Sequence, residues 1–265
     1  MKVAVVKFEK TNKHYYFDIN NLELKPRQWV VVNTIRGLEL GTISGIKEIK
    51  AEELVAELKP VERIASEADL KGNFENEQLV EDVILTAKDL VVQNKLEMKV
   101  IDAEYTLDRK KLIIYFEADA KVDFRNLVKD LSSIYKTRIE LRQVGARDGA
   151  KIIGGVGPCG LVLCCNTFIG EFDAVTIKMA KNQDISLNPT KISGSCGVLL
   201  CCIKYEDALY TELRENAPKK GSIVKYKDKE YKVIDENLLN QQVKISYQNE
   251  AIEILWVDNK DVVIK

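Results

Sequence analysis

A nine-residue cysteine motif occurs twice in this chain and constrains its fold more than any other feature. The copies occupy residues 157–165 and 194–202 and read GPCGLVLCC and GSCGVLLCC. Equivalent positions lie 37 residues apart, so Cys159 corresponds to Cys196. Together the two copies contain all six cysteines of the protein. Chance does not easily produce such a repeat, which indicates that the cysteines act as a set.

The motif has the donor chemistry of a thiolate-bound metal centre. A structural zinc ion takes about four thiolate or imidazole ligands, and a cubane iron-sulfur cluster takes about four thiolates. One copy supplies only three sulfurs, two of them adjacent, so we expect the two copies to come together. A 4Fe-4S cluster is our first expectation and zinc the alternative, and the sequence leaves open which four thiols bind. The candidate ligands are Cys159, Cys164, Cys165, Cys196, Cys201 and Cys202.

The residues between the cysteines favour a cluster over a bare metal ion. Gly160 and Gly197 follow the first cysteine of each copy and can take positive φ, which turns backbone amides toward a thiolate. The apolar triplets 161–163 and 198–200 are expected to shield the site from water. Amide contacts and exclusion of solvent both tune the potential and lifetime of a cluster.

Two other interpretations of the cysteines are weaker. Buried thiols often fill a core as small hydrophobic groups, but that interpretation does not explain the repetition. A catalytic cysteine needs a base nearby, and the only histidine, His14, lies far away on a predicted strand. No cysteine pair has the two-residue spacing of a thioredoxin-like dithiol. We therefore predict no catalytic residue and expect that the protein is not an enzyme.

Composition indicates a cytoplasmic chain with more than one domain. The 265 residues carry a formal net charge of −1 with 31% charged side chains, which argues against a strongly electrostatic mode of binding nucleic acid or membrane. The sequence has no run of about 18 apolar residues and no cleavable leader pattern, so no membrane insertion is expected. A reducing cytoplasm keeps thiols available for metal rather than for disulfides.

Hydrophobic periodicity predicts an α+β protein in four segments. Residues 1–60 form a small β-barrel-like domain, 61–98 a helical connector, 99–217 a cysteine-rich α+β domain and 218–265 a second small barrel-like β-domain. Asp123 is expected to cap a helix. The predicted strands cover 3–8, 14–17, 29–32, 41–43, 100–105, 112–116, 137–144, 222–226, 231–234, 243–247 and 252–256, and the predicted helices cover 79–91, 124–135 and 207–216.

A basic segment precedes the first motif copy. Between residues 136 and 151 it carries five cations against two acids, and Arg138, Arg142 and Arg147 are candidate contacts to nucleic acid or to a partner. The alternative is a solvated face of a strand whose other side, with Ile139 and Leu141, faces a core.

The run from 123 to 205 resembles the YaaT/RicT family, also described as the PSP-type C-terminal domain family. Weaker similarity extends over residues 1–100. The matching segments are 123–131, 137–145, both cysteine copies and 186–194.

The resemblance implies a cytoplasmic adaptor that joins two small helical partners, RicA and RicF, in a complex carrying 4Fe-4S clusters. In spore-forming relatives that complex influences sporulation, competence and biofilm formation and assists transcript maturation by RNase Y. The resemblance implies the same six cysteines as cluster ligands. We accordingly expect a cluster-binding accessory protein that regulates RNA processing, with RNA as a further candidate partner. The rivals are a nucleic-acid-binding protein with structural zinc and a redox enzyme.

Overall fold

The computed structural model describes residues 2–8, 14–49, 58–170, 172–248 and 252–264. These residues form helices and three sheets, so the predicted α+β class is confirmed. The chain divides into two compact units, Met1–Phe172 with Ser195–Val198, and Asp173–Gly194 with Leu199–Lys265. The division into four segments stays a prediction, because one compact unit can contain several folding segments.

The first sheet lies near the N-terminus of the first unit. Its strands are β1 (Lys2–Lys7), β2 (His14–Asp18), β3 (Trp29–Asn33), β4 (Leu38–Glu48) and β5 (Val61–Ile64). They pair antiparallel in the order β2-β1-β4-β3-β5. Within the described ranges a single parallel bridge, from Asp18 to Pro60, links the end of β2 to the residue before β5. The predicted barrel closure is not confirmed. The four strands predicted here are confirmed, and alternation places Ala4, Val6, Val30 and Val32 in one core.

The middle of the first unit packs helices on one face of a three-stranded sheet. The elements are α1 (Glu67–Gln93), β6 (Lys99–Tyr105), β7 (Lys111–Glu117), α2 (Arg125–Tyr135), β8 (Arg138–Gln143) and α3 (Ala146–Ile153). β6 and β7 form the predicted hairpin, and α2 crosses over to place β8 parallel to β7. Ile139 and Leu141 pack against the core that α1 and α2 cover, as predicted.

The start of α2 differs from the prediction. Phe124 occupies the N-cap position and its side chain makes no capping hydrogen bond. Asp123, predicted as the cap, lies one residue earlier, where its carboxylate accepts a hydrogen bond from the amide of Arg125 at 3.2 Å and pairs with the guanidinium of that residue. The aspartate therefore still satisfies an amide at the helix start, from outside the cap position.

The turn between β3 and β4 is fixed against the turn that joins β6 to β7. The amide of Leu107 donates to the carbonyl of Leu38 at 2.9 Å. Gly37 has φ +132°, and a Cβ at this position would lie 2.9 Å from Cγ2 of Thr106. Both the backbone conformation and the limited space require glycine here. The β3–β4 turn of the first sheet therefore packs closely against the β6–β7 turn of the middle sheet.

The second unit contains short helices, one long helix and a five-stranded sheet. Its elements are α5 (Ile177–Asn182), α6 (Pro189–Ile192), α7 (Cys201–Glu215), β9 (Ile223–Tyr226), β10 (Lys229–Asn237), β11 (Gln242–Gln248), β12 (Ile252–Asp258) and β13 (Val263–Ile264). The strand order is β12-β11-β10-β9-β13. The four predicted strands are confirmed, with a turn in which Lys227 and Asp228 both have positive φ. In the described part of this sheet no pairing joins β12 to β13.

In the described part of the chain, none of the helices is both long enough and apolar enough to cross a membrane.

Candidate cysteine site

The two motif copies fold into the same turn. An isolated antiparallel bridge joins Val156 to Val162 in the first copy and Ser193 to Leu199 in the second, again 37 residues apart. The amide of Leu163 donates to the carbonyl of Gly155 at 3.1 Å. The equivalent hydrogen bond, from Leu200 to Ile192, measures 2.9 Å. The sequence repeat is therefore a structural repeat as well, and we name the two segments the first and the second cysteine turn.

A glycine of positive φ lies at the tip of each turn. Gly160 has φ +82° and Gly197 has φ +74°, as predicted from their position after the first cysteine. A Cβ at either position would meet no atom within 4 Å. The backbone conformation, and not the available space, is what favours glycine here.

The cysteine pair of each copy begins a helix. Cys164 is the first residue of α4 (Cys164–Thr167), and Cys201 is the first residue of α7. The preceding leucines have almost the same backbone angles, φ −52° and ψ 127° at Leu163 and φ −56° and ψ 124° at Leu200. The copies diverge after the cysteine pair, because α4 ends after four residues and α7 continues for fifteen.

The thiols differ in exposure. Cys159 is exposed and Cys165 is buried, whereas the other four are half-buried. Burial is the main cause that raises the pKa of the Cys202 thiol, and the neighbouring Cys201 and Glu206 raise it further. Cys202 is therefore protonated at neutral pH when no metal is bound, and ligation there must displace a proton.

The predicted apolar shield is wrong for the first turn and partly right for the second. Leu161 and Val162 are 70% and 53% exposed, so they leave the first turn open to solvent. In the second turn Val198 is exposed, but Leu199 and Leu200 pack against a small apolar core. Two triplets of nearly equal hydrophobicity thus differ because only one has a neighbouring core to cover it.

The convergence of the sulfurs of the two turns stays a prediction. All six cysteines lie in the described ranges, and within those ranges no group of three or more His, Cys, Asp or Glu side chains is placed to hold a metal ion. The donor types are those that a cluster or a zinc ion takes.

The three arginines of the basic segment have different surroundings. Arg138 is exposed at the start of β8. Arg142 lies further along the same strand, with its Nε 3.7 Å from a carboxylate oxygen of Glu140. The guanidinium of Arg147 stands 5.4 Å from the ring centroid of Phe172, so this residue takes part in packing. The prediction that they contact nucleic acid or a partner stays a prediction.

Sequence reasoning missed a largely buried polar cluster at the turn between β3 and β4. The Arg36 guanidinium donates to Tyr115 Oη at 3.2 Å and lies 3.5 Å from Glu39 and 3.7 Å from Glu104. Burial is the main cause that raises the pKa values of Glu39 and Tyr115. The segment reads only as a turn in the sequence, since its partners come from strands about 70 residues further on. The signal in the sequence was the charged residue Arg36 next to Gly37, a glycine that the structure shows to be closely packed.

The structure thus defines a class of protein: an α+β fold that carries two copies of a cysteine turn, each with three thiols. Residues 59–144 match the PSP1 C-terminal conserved region, and residues 174–217 match the third domain of PSP1-like proteins. The chain is 46% identical to the stage 0 sporulation protein YaaT of Bacillus subtilis (strain 168), an alignment that covers 96% of this chain and 94% of that protein. The chain belongs to the YaaT family of proteins with a PSP1 C-terminal region, which confirms the resemblance.

Shorter alignments reach two yeast proteins. An uncharacterized protein of Schizosaccharomyces pombe is 32% identical over 155 residues, which is 47% of this chain and 21% of that protein. The protein PSP1 of Saccharomyces cerevisiae is 49% identical over 47 residues, 18% of this chain and 6% of its own length. No solved structure matches the chain.

Proposed function

We propose that this protein is a cytoplasmic, non-enzymatic adaptor that binds a 4Fe-4S cluster through its cysteine turns and acts in sporulation-related regulation. It resembles the RicT subunit of a complex with small RicA-like and RicF-like helical partners that assists maturation of transcripts by RNase Y. The relative that covers nearly the whole chain is named as a stage 0 sporulation protein, which supports the sporulation-related role.

The observation that carries the cluster proposal is the conformational identity of the two turns. Each copy has the same bridge and the same glycine conformation, with its cysteine pair at a helix start. Cysteines that only filled a core would not need matching backbones, nor would one of them, Cys159, be exposed. Two equivalent sets of three thiols exceed the four thiolates that a cubane needs.

We expect cluster binding to order the first cysteine turn. This turn is open to solvent at Leu161 and Val162. We expect hydrogen exchange at residues 155–165 to slow when the cluster is bound, since ligation holds the turn in one conformation.

Metal analysis of the full chain, purified without oxygen, tests the proposal. We expect iron and sulfide in equal amounts, a brown colour that fades in air, and loss of both in Cys159→Ser and Cys196→Ser. Ser195→Ala, an exposed neighbour in the second turn, is the matched control and should keep the iron. Colourless protein with stoichiometric zinc would support the alternative, a nucleic-acid-binding protein with a structural zinc site. Protein with neither metal nor sulfide would overturn both.

The adaptor role has a separate test. The cluster-loaded chain should retain small helical proteins from an extract of its own host, and cluster-free Cys196→Ser should not. Equal retention by both proteins would contradict a role for the cluster in assembly.

A further inference from the structure

A cavity of about 410 Å³ opens in the first unit, away from the cysteine turns. Its walls come from the end of β1, the edge strand β2, the turn between β3 and β4, the segment before β5, and β8. This volume lies within the range of about 300–1,000 Å³ that small-molecule sites occupy. The side chains that matter here are Phe8, Tyr15, Tyr16, Arg36, Lys59 and Arg142.

Exposed aromatic rings form one side of the cavity. Tyr15 and Tyr16 are 43% and 45% exposed, although they lie next to each other on a strand, where one side chain would normally face the core. The ring of Phe8 packs edge-on against Tyr15 with the centroids 5.6 Å apart, which holds the Tyr15 ring in place. Two accessible rings on one edge strand provide surfaces on which a flat heterocycle can stack.

Cations also line the cavity. Lys59 is exposed, and the Arg142 side chain keeps 34% of its surface exposed. The 3.7 Å distance from Arg142 to Glu140 exceeds the length of a hydrogen bond, so its guanidinium retains donors for an anion. Among the described residues that line the cavity, Arg36, Lys59 and Arg142 are cations and Glu39 is a carboxylate. Glu39 and Glu104 offset the charge of Arg36, so Lys59 and Arg142 are the cations that can attract an anionic ligand.

Arg36, another lining residue, is held in place before any ligand arrives. Arg36 is held by Tyr115 and Glu39, and the hydroxyl of Tyr115 donates to Glu104 at 3.0 Å. The adjacent Gly37 is locked by its close approach to Thr106. A site that is already ordered loses little conformational freedom on binding, which favours affinity.

We propose that this cavity binds a nucleotide unit of single-stranded nucleic acid, with the base stacked on Tyr15 or Tyr16 and the phosphate held by Arg142 and Lys59. A stacking ring beside a phosphate-binding cation is the combination by which single strands are held without reading their sequence. A proline-rich peptide also docks on aromatic grooves but has no use for the cations. The site is independent of the cysteines, so it does not rest on the cluster proposal.

Fluorescence anisotropy on the full-length, cluster-free chain tests this site. The probes are labelled ten-residue oligo-U and oligo-dT and a fluorescent adenosine nucleotide. Comparing their affinities shows whether the site prefers RNA, DNA or a free nucleotide. We expect Tyr16→Ala to weaken oligonucleotide binding about tenfold or more through lost stacking. Arg142→Gln should weaken it and also reduce the salt dependence by about one phosphate contact.

Arg138→Gln is the matched control for Arg142→Gln. Both arginines lie on the same face of β8, but four residues separate them by about 13 Å and Arg138 does not line the cavity. Arg138→Gln should bind as the unchanged protein does, and Arg142→Lys should recover part of the affinity lost in Arg142→Gln. Tyr205→Ala, an exposed tyrosine on α7, controls for the loss of any aromatic ring.

Three outcomes would overturn the proposal. The first is an absence of binding to all three probes at low salt. The second is an equal loss in Arg138→Gln and Arg142→Gln, which would indicate diffuse surface electrostatics. The third, tested with a labelled proline-rich peptide as a fourth probe, is preferential binding of this peptide that Arg142→Gln leaves unchanged. Thermal unfolding of every variant separates a lost contact from a lost fold, and iron content plays no part in any of these results.

Discussion

The two cysteine turns share a backbone and differ in what supports them. Leu199 and Leu200 of the second turn pack on a core formed by Ala180, Ile192 and Ile203, and its helix continues for fifteen residues. The first turn ends in a helix of four residues, and two of its three apolar side chains are mostly exposed. The comparison teaches that the nine-residue sequence determines the turn, whereas the following residues determine how firmly it is held.

The largest expected effect separates the two turns at equivalent positions. Ile203 is fully buried beneath the second turn, and the position 37 residues earlier holds the exposed Asn166. Ile203→Ala leaves a cavity and should lower the free energy of unfolding by about 2–5 kcal/mol. Asn166→Ala loses one hydrogen bond to the Lys151 carbonyl and should cost about 1 kcal/mol. Urea denaturation measures both, and equal costs would refute the difference in support.

A smaller effect should be the same in both turns. Gly160→Ala and Gly197→Ala place a Cβ on a left-handed residue and should each cost about 1–2 kcal/mol, because the strain is conformational and the surroundings are open. Gly72→Ala in α1 is the control of opposite sign and should stabilise the protein by up to about 1 kcal/mol. Unequal costs at the two turn glycines, measured by the same denaturation, would mean that the turns are not equivalent.

The smallest effect concerns pH and the Cys202 thiol. Burial raises its pKa, so folding favours the protonated thiol. This contribution to stability is complete below the ordinary cysteine pKa and is lost as pH rises through the higher pKa of the folded state. Cys202 should therefore react slowly with iodoacetamide near neutral pH and faster above pH ~9, as peptide mass spectrometry can follow. Labelling of Cys202 that is already complete at neutral pH would contradict the burial of this thiol.

Periodicity predicted most of the secondary structure because the strands and helices each bury one regular face. The helix predicted at 207–216 begins earlier, at Cys201. The prediction missed this start because the cysteine pair was interpreted as a ligand motif and not as the first turn of a helix. The exposure of Leu161 could not be predicted, since two similar apolar triplets look alike until their neighbours are known.

The cavity of the first unit could not be predicted from the sequence, for a different reason. Tyr16, Lys59 and Arg142 lie more than 40 residues apart along the chain, and only the fold brings them to one place. The adjacent tyrosines on one strand, which break the usual alternation of buried and exposed side chains, were the signal within the sequence.

The most direct test of the cluster proposal compares two variants, each with all three cysteines of one turn replaced by serine. Iron and sulfide are measured per chain after purification without oxygen. If both turns contribute thiolates to a common centre, either variant should lose essentially all of its iron and sulfide while keeping its far-ultraviolet circular dichroism. Retention of the full iron and sulfide content by either folded variant would contradict a shared centre.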